Sequence, residues 1–75
     1  MSKPFNGHPS WNAWNVSLWI ANDEPLYRRA YELGRKLGAM GAADILCGEL
    51  PPKTPDGAPY AKRNVERAIR GLIEE

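Results

Sequence analysis

Trp11-Asn12-Ala13-Trp14-Asn15-Val16-Ser17-Leu18-Trp19-Ile20-Ala21-Asn22, followed at once by Asp23-Glu24-Pro25, decides the fold of this chain. The twelve residues from Trp11 to Asn22 contain no proline or glycine, and Ser10 stands before them with a hydroxyl able to accept from a first-turn N–H. A helix over 11–22 is the expectation. Asp23-Glu24-Pro25 is then a restart signal, because Asp caps, and Glu and Pro suit a first turn whose N–H groups have no intrahelical acceptor. Two helices are therefore expected to meet with almost no loop between them.

Spaced at about 100° per residue, Trp11, Trp14, Leu18 and Ala21 share one face of the first helix, with Ala13, Val16 and Ile20 roughly opposite. Such a helix should lie between other elements. Each indole can bury ~150–250 Å², so Trp11 and Trp14 are expected in the core beside Leu18. Asn12, Asn15 and Asn22 fall on the remaining stripe, with Trp19 among them. Asparagine amides compete for backbone groups inside helices, so this stripe should hydrogen-bond to something nearby. It either anchors the N-terminal arm or a loop, or forms a partner-binding stripe of Asn12, Asn15, Trp19 and Asn22.

Working outward, Leu26, Ala30, Leu33 and Leu37 repeat as in an amphipathic helix, flanked by Tyr27 and Tyr31, which places a second helix at 24–37 ending at Gly38. A short third helix is expected from about Met40 to Cys47, closed by Gly48, with Cys47 as a small apolar side chain. Residues 49–60 hold Pro51, Pro52, Pro55 and Pro59 and read as a proline-rich loop. Its Pro55-Asp56-Gly57 fits a tight turn, and any hairpin there must be short. A last helix over Ala61 to Ile73 should bury Val65, Ala68, Ile69, Leu72 and Ile73 and expose Lys62, Arg63, Glu66, Arg67 and Arg70.

The sum is an all-α domain of four helices over residues 10–73, preceded by an irregular arm, residues 1–9, in which Phe5 is the one anchor. With 75 residues, the chain makes a single domain that buries only about 60% of its unfolded surface, leaving little room for an enclosed active site. Cys47 is the sole cysteine and His8 the sole histidine. That pairing makes a disulfide impossible and structural zinc a poor fit, so no metal and no cofactor is expected. No paired-carboxylate motif, phosphate loop or activated nucleophile is visible, and the expectation is a protein without catalytic residues. No apolar run approaches the ~18 residues of a membrane span, which favours a soluble intracellular monomer.

Ten basic residues against nine acidic give a net charge of +1, so the distribution of charge matters more than its total. The first 22 residues hold only Lys3, whereas the final helix carries Lys62, Arg63, Arg67 and Arg70 around Asn64. These five side chains are the candidates for nucleic acid or an acidic protein surface. A solvated helix face is the plain alternative.

Residues 31–72 resemble the helix-turn-helix segment that follows the catalytic domain of large serine recombinases, most closely at Thr54-Pro-Asp-Gly-Ala-Pro-Tyr-Ala-Lys-Arg-Asn-Val-Glu-Arg-Ala-Ile. Ala61 stands where that family has a capping Ser or Thr. The resemblance implies Lys62, Arg63, Asn64, Arg67 and Arg70 facing a duplex, with Asn64 on a base. The front of the chain, Gly7-His-Pro-Ser-Trp-Asn-Ala-Trp-Asn-Val-Ser-Leu-Trp-Ile-Ala-Asn-Asp-Glu, is similar to a pattern in small phage and mobile-element proteins. In size and character the chain also resembles type I anti-CRISPR proteins. That resemblance implies a non-enzymatic inhibitor in the host cytoplasm that binds a Cascade subunit and blocks target-DNA engagement. A small helix-turn-helix regulator of phage or mobile-element origin is the alternative.

Overall fold

In the computed structural model, which describes residues 9–74, three helices form an all-α fold: α1 (Trp11–Asn22), α2 (Glu24–Glu49) and α3 (Lys62–Ile73). The Phe5 anchor and His8 lie outside the described residues. No helix is long and apolar enough to cross a membrane.

Local chemistry sets the first junction. The Ser10 hydroxyl accepts from the Ala13 N–H at 3.1 Å and starts α1. At the other end Asp23 serves two helices. Its backbone N–H donates to the Trp19 carbonyl at 3.1 Å, closing α1, while its carboxylate accepts from the Leu26 N–H at 3.1 Å, opening α2. The expected bounds of the first helix therefore hold, and a single residue makes the turn.

The second and third helices expected from sequence are two arms of α2. Gly38, at φ 80° and ψ 166°, breaks the helical backbone, and the chain re-enters helix directly at Ala39. A side chain is rarely tolerated at such a positive φ. Arg29 and Glu49, 20 residues apart, form a two-pronged ion pair at 3.0 and 2.6 Å. In a straight helix they would stand about 30 Å apart, so the chain turns back on itself at Gly38 and the arms 24–37 and 39–49 form a hairpin. Ala30 on the first arm and Ala39, Ala42 and Ala43 on the second are buried in the common core. The count is thus three helices, because Gly38 bends the helical run without any intervening loop.

α3 packs mainly on α2, and α1 lies across α3 with a smaller contact to α2. Gly34 shows how close α2 and α3 come. A Cβ there would meet the Ile69 and Ile73 methyls at 2.7 and 2.8 Å. Val65, Ala68 and Ile69 are buried as the helical spacing requires, while Leu72 and Ile73 are half-buried at the edge.

The burial of α1 corrects the sequence reading. Its inner face is Ala13, Val16 and Ile20, together with Asn15, whereas Trp11 is 40% exposed and Trp14 and Leu18 are only half-buried. A domain this small has a thin interior, filled here by Ala, Val, Ile and Leu; indoles are too large to be enclosed in it. With apolar residues on both sides of α1, the deciding factor was volume rather than hydrophobicity.

Residues 50–61 connect α2 to α3 without helix, and their one bridge pairs Lys53 with Pro59. The Thr54 carbonyl accepts from the Gly57 N–H at 2.9 Å and the Thr54 N–H donates to the Ala58 carbonyl at 2.8 Å. Pro55-Asp56-Gly57, with Gly57 at φ 96°, forms the tip of this short turn. Three-residue hairpin tips commonly place glycine there because the last tip residue needs a positive φ.

Candidate functional site

The turn at 54–58 reaches across and fastens to α1. Thr54 Oγ1 accepts from the Ala58 N–H at 3.0 Å and donates to Asn15 Oδ1 at 2.6 Å. The Asn15 amide nitrogen donates in turn to Asp56 Oδ2 at 2.9 Å, and Trp19 Nε1 donates to the same oxygen at 2.9 Å. These donors hold the Asp56 carboxyl below its usual range, Asn15 contributing most and Trp19 next. The asparagine stripe is consequently not one surface. Asn15 is 1% exposed and spent on the loop, Asn12 and Asn22 are exposed, and Trp19 is half-buried. Of the two sequence readings of Asn15, an anchor for a loop matches its partners.

Fastening the turn to α1 creates a cleft. Its volume is about 440 Å³, and it opens at the free end of the α2 hairpin. Leu26, Leu46 and Leu50 come from the hairpin, Trp19 from α1, and Pro51, Pro55 and Tyr60 from the loop. Asp23 and the Arg29–Glu49 pair supply its polar atoms. The guanidinium of Arg29 holds the Glu49 carboxyl below its usual range through the paired hydrogen bonds. Partial burial, then the Asp23 charge, pushes the Tyr60 hydroxyl up. Ligand sites are typically concave and mostly apolar, with few polar groups, in the range of about 300–1,000 Å³. Trp19 was reached from sequence, but Leu26, Arg29, Glu49 and Tyr60 were not. The signal for them was opposite charges at Arg29 and Glu49 on either side of Gly38, but a helix closed by Gly48 leaves Glu49 in the loop, whereas the helix runs through Gly48 to Glu49.

Cys47 lies half-buried with its thiol 3.7 Å from the Tyr60 carbonyl. Burial and then the Asp44 carboxylate push its pKa up, so it is not a ready nucleophile.

The outer side of α2 carries a second feature. Tyr27 and Tyr31 stack with centroids 6.3 Å apart and planes at 10°, and the Arg35 guanidinium sits 5.9 Å from the Tyr31 ring. Both tyrosines are exposed and neither lines the cleft.

α3 divides the basic candidates. Lys62 is paired with Asp44 of α2, which raises the lysine's pKa through the hydrogen bond first and the charge second. Arg63, Asn64, Arg67 and Arg70 line a shallow depression of about 160 Å³ together with Pro9 and Glu66. Arg70 pairs with Glu66 at 2.7 Å and with Glu74 at 3.8 Å, whereas Arg63 and Arg67 have no carboxylate partner among the described residues. A helix-turn-helix presents its second helix through a three- to four-residue turn. Here residues 50–61 separate α2 from α3, and the N-cap position Ala61 supplies no side-chain bond.

These features define the class as a small all-α domain whose loop, pinned to its first helix, walls an open apolar cleft. The chain matches the Family of unknown function (DUF7249) over residues 1–75 and belongs to that family. No curated protein and no solved structure matches it.

Proposed function

We propose that this protein is a non-enzymatic inhibitor of host defence that binds a type I Cascade subunit as a monomer in the host cytoplasm, in the manner of an anti-CRISPR protein. The observation that supports a binding role is the cleft walled by Trp19, Leu26, Leu50 and Tyr60. Interfaces draw most of their affinity from a few aromatic or apolar anchors seated in such desolvated pockets. Asp23 and Glu49 outweigh Arg29 at the rim, so the anchor it fits is an apolar side chain flanked by a basic residue. The choice of Cascade rests on the resemblance to the type I anti-CRISPR class.

A pull-down with purified type I Cascade tests the reading, and a stable complex that lowers target-DNA binding is the expected result. Pro51→Arg puts a cation into the mouth of the cleft from an exposed position and should weaken that complex about tenfold, equivalent to ~1.4 kcal/mol. Absence of any complex with Cascade overturns the anti-CRISPR proposal. Unchanged binding by Pro51→Arg removes the cleft as the contact.

A further inference from the structure

We infer that the depression on α3 is a contact site for the phosphate backbone of nucleic acid, independent of the cleft and without base readout. Arg63, Arg67 and Arg70 lie at i, i+4 and i+7, on one side of α3. Seven residues of helix span about 10 Å, and one strand of duplex DNA places a phosphate about every 3.4 Å of axis, so this row spans the axial rise of about three phosphates. Arg63 and Arg67 have no carboxylate partner among the described residues, and Asn64 between them adds an amide donor. Glu66 is the one carboxylate among the described lining residues, and with Glu74, which pairs with Arg70, it leaves an excess of one positive charge, carried by the side of the row that holds Arg63 and Arg67.

The lining also discriminates between classes of partner. Among the described residues it has no apolar side chain apart from Pro9, whereas a protein-docking face needs an aromatic or aliphatic centre. Phosphates need none. Arginine forks match phosphate oxygens in pairs, and sequence-independent affinity follows from charge neutralisation with release of counterions. Residues 50–61 stand where a helix-turn-helix has the three- to four-residue turn that inserts its second helix for base readout, and a backbone contact needs no such insertion.

The test is fluorescence anisotropy of the full chain with a labelled duplex DNA of arbitrary sequence, at about 50 and about 200 mM salt. Two phosphate contacts, from Arg63 and Arg67, predict a loss of affinity of about 12-fold between those concentrations, with no preference among sequences. The exposed pair Arg63→Ala and Arg67→Ala should lower the log–log salt slope by about two while leaving the helical circular dichroism unchanged. No binding at the lower salt overturns the site, as does a double variant that binds and titrates with salt like the parent. Equal affinity for poly-glutamate also overturns it, because the face would then be a general anion sink rather than a phosphate site. The result is separable from the pull-down, since Pro51→Arg leaves α3 intact and the arginine variants leave the cleft intact.

Discussion

On α1 the polar side chains of Asn15 and Trp19 are bound by the turn at 54–58, whereas on α3 Arg63 and Arg67 face outward without a carboxylate partner among the described residues. Both were stripes of polar residues on a helix, α1 with apolar residues on two sides of its stripe and α3 with one apolar face. What separates them is the neighbour. A proline-rich loop with a carboxylate at its tip lies over α1 and ties Asn15 and Trp19 into the fold, while no carboxylate among the described residues ties down Arg63 and Arg67 on α3. The chemistry of a stripe says that it will bond, and the course of the chain elsewhere says to whom.

The comparison can be broken most severely at Asn15. Asn15→Ala strips the buried Thr54 hydroxyl of its acceptor and removes the leading donor to the exposed Asp56 carboxylate. Leaving a buried hydroxyl unpaired costs about 1–3 kcal/mol. In a domain of this size each kcal/mol is worth about 4–8 °C, so thermal unfolding followed by circular dichroism should show a large drop in Tm. A variant that melts with the parent would return Asn15 to the surface.

A smaller effect is expected from acid. The donors of Asn15 and Trp19 give Asp56 a lower pKa folded than unfolded, so its contribution to stability is present above the ordinary carboxylate range. It is lost as the pH falls through the depressed folded value. Asp56→Asn can still accept both hydrogen bonds but carries no charge to titrate. Its melting temperature should therefore fall less than the parent's on acidification from about pH 5 to about pH 3. Parallel curves would show that the carboxylate is not what ties the turn to α1.

The smallest effect belongs to α3. Arg67→Ala should change stability by no more than about 0.5 kcal/mol, as exposed substitutions without partners do. A clear destabilisation in urea would mean that this arginine holds the fold and that the contrast between the helices is false.

Some of this was legible in the sequence. Ser10, Asp23 and Pro25 announce the ends of α1 and the start of α2 because capping is a local transaction between neighbours. The interruption of the helical run at Gly38 was legible for the same reason, and so was the turn at Pro55-Asp56-Gly57, but not the extended ψ of Gly38 that sends the chain straight back into helix. The buried side of α1 was not, since apolar residues occupy opposite sides and the choice between indoles and Ala13, Val16 and Ile20 rests on how much space α3 leaves. The cleft was hidden too: Trp19, Leu26, Leu46 and Tyr60 become neighbours only after the reversal at Gly38. For the basic residues, composition shows that the charge is there, but the pairing of Lys62 with Asp44, and the lack of a carboxylate partner for Arg63 among the described residues, depend on how α3 packs against α2.

Asp23 and Gly38 have a joint consequence for how this domain can vary. Each reverses or redirects the chain within one residue, and the turn at 54–58 is bolted to α1, so the described chain carries almost no slack. One residue added beside Asp23 would force a choice between ending α1 and starting α2, because no single side chain could then do both. The spacing between Ser10 and Ile73 is thus a structural parameter in its own right. Members of the family are expected to diverge within it by exchanging side chains, and to change length at the ends.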